Sequence, residues 1–556
     1  MRAIKKVSYR FSLWEIVFFT ILFIFSSYLM WKTFRVNSSG NMQIATRLWS
    51  DFAATLPLIR SFSFGSNFPP EYPIFAGPPI RYHFIFFMLV GFLEKAGIRI
   101  DWALNSLSVL GFFLLCLAIY LLGKKVFKSK SVGAVSVFLF LFNGSFGFLE
   151  FFKKHPLSIN TPLEILNSKE FSSFGPYDGK IVSAFWSLNI FTNQRHLALG
   201  YAAFLFLILS IYVFSKNPEK FTWTKTLLIG IFLGLFPFVH LSIFVMSGVS
   251  LIIFLVIYPK LRIKIFIMGC IALILALPQF LYMGKSQIQI EIFRPGYLLD
   301  KLTPFNFLKY WFLNIGVASI LAPIGFILTK RYQRKTLIPF LVFFIVGNLF
   351  QFAPDMPTNH KFFNLFLIGA NMFTAYFLVK LWKTKYIGQI ATFLLLIPLT
   401  LTGIIDLFPI LNDRFITLED IPNNKAANFI EKSTPKDTVF LNALFLYDPA
   451  NIAGRKIYLG WPYFSWGAGY DTTKRDQIMK NMLSPEDVNV FCTLITTEGI
   501  DFIEIQQPNN LIDTPVDYLF FDANFTKIYF DPKTNFSIYD PFPTCSKLTS
   551  VLKRSL

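Results

Sequence analysis

A multi-span α-helical membrane protein with a C-terminal extracytoplasmic α/β domain is the fold class this sequence predicts, on three observations. The first is composition: of 556 residues, 54% are hydrophobic and 15% charged, with a mean hydropathy of +0.52. The second is a series of apolar runs, each about as long as a bilayer core requires, roughly 17–25 residues. The third is a change after about residue 411, where those runs stop and short apolar segments alternate with amphipathic ones.

The runs fall near 11–31, 103–123, 131–150, 197–215, 225–240, 241–258, 263–283, 309–329, 337–353, 361–381 and 387–409. A further run at 82–93 is short for a span, and the basic residues decide its place. With 82–93 as an outer juxtamembrane helix, about 11 transmembrane helices alternate so that every strongly basic short loop shares one side. These loops hold Lys5 and Lys6; Lys124, Lys125, Lys128 and Lys130; Lys216, Lys220 and Lys225; Lys260, Arg262 and Lys264; Lys330, Arg331, Arg334 and Lys335; and Lys380, Lys383 and Lys385. Insertion prefers that arrangement, with basic loops inside. The basic stretch 1–10 before the first run lacks a small-x-small cleavage pattern, so it reads as the cytoplasmic lead of an uncleaved span.

The first outer loop (32–102), a second (151–196), a third (284–308), the turn 352–360 and the region 412–556 then share the outer compartment. This gives a transmembrane domain of 1–411 and a C-terminal domain of 412–556. In the latter, helices are expected at 421–433, 476–483 and 485–496, and strands at 438–441, 456–460 and 501–505, within normal domain size. The expected location is a bacterial plasma membrane.

The formal net charge of +20 does not signal nucleic acid. From Asp413 onward Asp and Glu outnumber Lys and Arg, so the basic excess belongs to the membrane loops. Cys116 and Cys270 lie in apolar runs and read as packing residues. Cys492 and Cys545 share the C-terminal domain and could pair in an oxidising compartment, a point that spacing leaves open. No His-Glu-x-x-His, zinc-spaced cysteine pair or glycine-rich phosphate loop occurs, so no metal ligands are assigned.

Charged groups at the mouth of a membrane bundle are costly and therefore functional candidates. Asp51 opens the aromatic, prolyl first loop, where Ser50-Asp51 also suits a helix N-cap. Glu71 beside Pro69 and Pro70 ranks lower, and His83 closes the same loop. Asp178 and then Asn193, Gln194, Arg195 and His196 occupy the second loop; Arg195 suits a phosphate through its bidentate fork, or snorkels at the interface. The turn at 351–361 brings Asp355, Asn359, His360 and Lys361. His240, at a tight outer turn, reads as a structural hydrogen-bonder. In 460–470, Trp461, Tyr463 and Trp466 could stack on sugar faces or pack the domain down.

Several stretches resemble the GT-C class of integral-membrane glycosyltransferases, and more narrowly an uncharacterised bacterial GT-C-like membrane protein group. They are Asp51 with Leu58-Ile59-Arg60-Ser61-Phe62, Asn67-Phe68-Pro69-Pro70-Glu71, Phe75-Ala76-Gly77, Arg81-Tyr82-His83-Phe84, Thr192-Asn193-Gln194-Arg195-His196, and Ala453-Gly454-Arg455-Lys456 with Leu459-Gly460-Trp461-Pro462. The resemblance implies a polyprenyl-phosphate-sugar donor, a glycan, lipid or protein acceptor, and contact with membrane lipid. It implies transfer with inversion, Asp51 as general base, and Arg195, His196 and Lys361 neutralising the leaving phosphate. Asp51 and Arg195 are then expected to face one outward cavity. The chain departs from the class in having Ser50 and Phe52, not a second acid, beside Asp51. It also has Ala54 and Thr55 where a histidine would stand, and no tryptophan at 354–361. No cofactor is required by this reading, although a divalent metal (Mg2+ or Mn2+) is compatible with it. The alternative function is a non-catalytic transporter or scaffold for lipid-linked sugars; a polysaccharide polymerase or ligase would share the chemistry.

Overall fold

The computed structural model describes residues 11–174, 180–509, 511 and 514–546. Among them, seven helices are long and apolar enough to cross a membrane: Leu13–Trp31, Ile100–Phe127, Leu197–Lys216, Phe236–Ile257, Pro259–Met283, His360–Trp382 and Tyr386–Leu411. The first begins with a capping box in which Ser12 N–H donates to Glu15 at 2.9 Å. The same buried Glu15 carboxylate pairs with Lys124 and Lys130, so basic residues of the next loop lock the ends of neighbouring helices together.

The count differs from the expected eleven at identifiable places. The run at 309–329 is not one straight helix: Pro304–Ile315 and Ala318–Leu328 meet at 88°. Gly316 sits between them at φ +66°, where a Cβ would come within 2.9 Å of the Gly144 carbonyl oxygen. Only glycine fits that left-handed, crowded corner. The runs at 131–150 and 225–240 form helices of 12 residues each, Lys130–Leu141 and Trp223–Gly234. Those reach only about 18 Å, short of a hydrocarbon core of about 30 Å. The run at 337–353 lies in Arg331–Leu349, whose first turn is strongly basic. The 82–93 segment forms Ile85–Lys95, 11 residues long.

The C-terminal region holds a five-stranded mixed sheet. Its order is Lys456–Ile457, Val439–Leu441, Phe502–Gln506, Phe536–Asp540 and Thr526–Asp531. The first three strands run parallel, and the last two add antiparallel. Helices Lys425–Ser433, Thr472–Leu483 and Val488–Glu498 lie close to their expected places. The final two strands were not anticipated from sequence, because their alternation is broken by the polar stretch between them.

This region shares a hydrophobic core with the segment 32–102, including Phe52, Leu56, Ile59, Phe440, Tyr458 and Tyr470. Strand Met42–Ala45 of the loop pairs on one side with Phe34–Val36 and on the other with Phe415–Leu418. Ile457 N–H donates to Pro73 O and Gly460 N–H to Ile74 O, both at 2.8 Å, stitching the loop hairpin to the sheet. The Arg60 guanidinium, almost wholly buried, bridges Asp420 at 2.6 Å and Glu94 at 3.3 Å.

Cys492 and Cys545 form a disulfide across 53 residues of sequence, while Cys116 and Cys270 are free. Closing a loop of that length removes enough unfolded-chain entropy to stabilise by about 4 kcal/mol in the chain-entropy description. C492S/C545S should therefore lower the thermal midpoint of the C-terminal region, read as early proteolysis there on heating. Equal midpoints would show that the packed core alone holds this edge.

Candidate functional site

Helix Trp49–Ser63 carries Asp51 in its first turn. The N-cap is Leu48 and makes no side-chain capping bond, so Asp51 is not serving as the cap. Pinning comes from the other face and the far end: Phe52, Leu56 and Ile59 are buried, and Arg60 is clasped by its two carboxylates. The Asp51 carboxylate is left facing a cavity of about 370 Å³, together with Tyr82, Asn189, Asn193, Gln194, His196, Asp355, His360, Lys361 and Tyr463.

The turn ahead of His360–Trp382 supplies the opposite wall. Asn359 donates to Phe350 O and Gly347 O and to the Tyr297 hydroxyl, which fixes the turn. Thr358 donates to Asp355 at 3.1 Å, and the Tyr463 hydroxyl also donates to that carboxylate. Gln194 and Asn364 amides hold the two ring nitrogens of His360 at 3.2 and 3.0 Å. The Lys361 backbone carbonyl accepts from Tyr201 at 2.8 Å, while its side chain reaches the cavity.

Burial, and secondly the negative Asp355, push the Asp51 pKa up from its ordinary value to about 6. Burial likewise raises Asp355, against the opposing hydrogen bonds of Tyr463 and Thr358 and the charge of Lys361. The missing neighbouring acid of the sequence is thus supplied from more than three hundred residues away. Two carboxylates and one ammonium can hold a proton, a cation or a phosphate, and Asp51 with Asp355 offers oxygen donors suited to Mg2+ or Mn2+. The amide oxygens of Asn193 and Gln194 are buried without a hydrogen-bond partner, leaving acceptors for hydroxyl groups.

Arg195 does not line this cavity. Its guanidinium is buried away from the cavity and donates to Thr192 O at 2.6 Å, Asn105 Oδ1 at 3.0 Å, Thr33 Oγ1 at 2.8 Å and Met30. With these donors taken, it ties the start of helix Leu197–Lys216 to the end of Leu13–Trp31 and is not placed to bind a phosphate in this cavity. Asp51 and Arg195 therefore do not face one cavity as expected; Lys361 is the buried cation that shares the cavity with Asp51 and Asp355. Glu71 is also structural: it accepts from Gly77 N–H at 2.8 Å and pairs with Lys456 at 3.0 Å. Of the aromatic loop, Tyr463 reaches the cavity, whereas Trp461 packs on Phe445 and Trp466 on Tyr463. Asp178 lies outside the described residues.

Arg47 was missed from sequence. It lines the cavity four residues before Asp51, stacked 4.7 Å over Phe171, with a hydrogen bond to Lys169 O. Its spacing of one helical turn from Asp51 was the available signal. His83 does not line the cavity but lies against His196, with which it shares a 2.6 Å contact between Nε2 atoms. Burial, then His196, His240 and Lys361, press the His83 pKa well below its ordinary value. His240 is no hydrogen-bonder: neither ring nitrogen has a partner.

No protein-family model matches this sequence, and no curated protein matches it. Among solved structures the chain is similar to an archaeal oligosaccharyltransferase, that of Archaeoglobus fulgidus, a GT-C-class membrane glycosyltransferase. One such structure, a complex with zinc and sulfate, aligns over 94% of this chain and 73% of that one, at 11% identity and a TM-score of 0.47. Another, tethered to an acceptor peptide through a disulfide, aligns over 95% and 74%, at 12% identity and 0.46. A third, with an inhibitory peptide and a dolichol-phosphate, aligns over 89% and 70%, at 11% and 0.41.

Proposed function

We propose that this chain is a membrane glycosyltransferase that moves a sugar from a polyprenyl-phosphate-linked donor to an acceptor hydroxyl on the outer face of a bacterial plasma membrane. The observation that carries it is the meeting of Asp51, Asp355 and Lys361 in one cavity beside helices long enough to span a bilayer. Asp51, at a pKa of about 6, is mostly ionised at neutral pH yet still basic enough to accept a proton. It takes the acceptor's hydroxyl proton as that oxygen bonds to the anomeric carbon. The bond from that carbon to the phosphate oxygen breaks, and the polyprenyl phosphate leaves with the electron pair. Attack from the face opposite the leaving group inverts the centre.

Lys361 answers the charge that grows on the departing phosphate. The unpartnered Asn193 and Gln194 oxygens suit sugar hydroxyls, and Tyr82 and Tyr463 suit the apolar ring faces. The Cys492–Cys545 disulfide supports an extracytoplasmic C-terminal region, as does the basic side of the short loops. By donor type Asp355, with Asp51, would hold an Mg2+ or Mn2+ ion, which would supply Lewis-acid stabilisation of the phosphate; the proton transfer to Asp51 needs that carboxylate oxygen free.

The test is reconstitution with radiolabelled lipid extract carrying polyprenyl-phosphate sugars, followed by analysis for a new glycosidic bond. Passage of intact lipid-linked sugar across the bilayer with no new bond would instead establish a transporter. K361M should cut kcat/KM for transfer by about 10²-fold, the usual cost of one donor to developing charge. Unchanged kinetics in that variant would remove Lys361 from the leaving-group role.

A further inference from the structure

Three histidines from separate elements converge beneath the cavity. His83 precedes helix Ile85–Lys95, His196 immediately precedes Leu197–Lys216, and His240 interrupts Phe236–Ile257 with an extended backbone at φ −169°, ψ 101°. They are 7%, 5% and 0% exposed. The His83 and His240 rings stack with centroids 4.5 Å apart, and His83 and His196 centroids lie 4.3 Å apart. One ligating nitrogen from each lies within 4.8 Å of the other two, the one such trio among the described residues. Gly200, one turn beyond His196, keeps the space open: a Cβ there would press Ile243 at 3.0 Å and approach the His240 ring at 3.5 Å.

Packing alone does not account for this cluster. His196 Nδ1 and both nitrogens of His240 are buried with no hydrogen-bond partner. Each such orphan costs about 1–3 kcal/mol. Aromatic neighbours surround the rings, with Tyr82 stacked on His83 at 3.9 Å and Phe87 edge-on to His196 at 5.2 Å, and neither supplies a polar partner. An ion held through Nε2 of His83 and of His196 would also take one of the two unpartnered His240 nitrogens, leaving His196 Nδ1 outside its shell. Bonds of about 2.0–2.1 Å at tetrahedral angles separate nitrogens by roughly 3.3 Å, so His83 and His196 need part by less than 1 Å.

We infer that His83, His196 and His240 form a three-imidazole site for a zinc-class transition-metal ion at the floor of the cavity. Imidazole donors select that class over Mg2+ and Mn2+, which prefer oxygen. Because His196 also lines the cavity, the fourth coordination position is open to water or to a cavity ligand. Lys361, the cation that acts on these rings, is itself offset by Asp355. The ion would tie the first loop, the second loop and the kinked helix into one rigid floor. This site differs in donors and place from any Asp51–Asp355 cation, and it stands whether or not the chain transfers sugars.

The experiment is metal analysis of the full-length protein in detergent, purified without a polyhistidine tag, stripped with chelator and reloaded with Zn2+, Co2+ or Mg2+. One equivalent of Zn2+ is expected to survive dialysis, Co2+ to give the intense visible bands of a four-coordinate site, and Mg2+ to wash out. H240Q and H83Q should each lose the ion, and H155Q, on the exposed second loop, should keep it. Retention by H240Q, or less zinc in the native protein than in a scrambled control, would overturn the site. Where a variant fails to fold, the native protein's Co2+ spectrum decides: weak octahedral bands refute the trio, and intense tetrahedral bands support it.

Discussion

Replacing Asp51 with Asn is expected to abolish sugar transfer, with a loss of at least about 10²–10⁴-fold, the range that a positioned general base contributes. Asn keeps the shape and hydrogen-bonding reach but cannot take the acceptor's proton. The native pH profile carries the same information. Activity should rise with pH and level off above about 6, because the carboxylate must be ionised and its pKa is raised to that value. Below that point the rate should fall about tenfold per pH unit. Stability moves the other way. A carboxylate whose folded pKa lies above its unfolded value holds its proton more tightly when folded, so folding weakens as pH climbs from the ordinary carboxylate value to about 6. D51N removes that weakening and should melt no lower than the native protein at neutral pH. Full transfer activity in D51N, measured by product formation from labelled donor, would sink the assignment of the base.

The second large effect concerns the clasp that holds helix Trp49–Ser63 to the C-terminal region. R60M should destabilise by about 3–5 kcal/mol, because it leaves Glu94 and Asp420 buried, charged and unpaired. Arg60 also stacks 4.6 Å over Phe64, so packing is lost with the charge. The triple variant R60M/E94Q/D420N should recover most of the loss, since neutralising all three members removes the stranded charges. Thermal scanning in detergent, with limited proteolysis of 412–546 as a local probe, separates the outcomes. If R60M melts with the native protein, the shared hydrophobic core suffices and the ionic clasp is dispensable.

The residues themselves show why part of the site was readable. Asp51, Asn193, His196, Asp355, His360 and Lys361 were picked as polar groups where apolar runs end, and all six line the cavity. Burial cost explains why they share it: a polar group at a helix mouth needs a partner or a cavity. Arg195 and His196 show the limit. They are consecutive, yet one turns inward to Met30, Asn105 and Thr33 and the other faces the cavity. Neighbouring residues at a helix start point about 100° apart, and loop chemistry does not reveal that rotation. The bend at Gly316 escaped for a similar reason, because hydropathy averages over the run and is blind to one residue at φ +66°.

Taken alone, the sequence determined the long apolar helices, the sidedness of the basic loops as an expectation, the α/β character of the C-terminal region and the prominence of Asp51. Each is a local property, set by hydropathy, period or charge within about 20 residues. Only the tertiary structure decided which groups meet. It set Asp355 close enough to raise the Asp51 pKa, buried Arg195 as a strut, and gathered His83, His196 and His240 from three elements. Those meetings depend on how side chains of given volume fill the space between packed helices, and that filling is settled by every neighbour together.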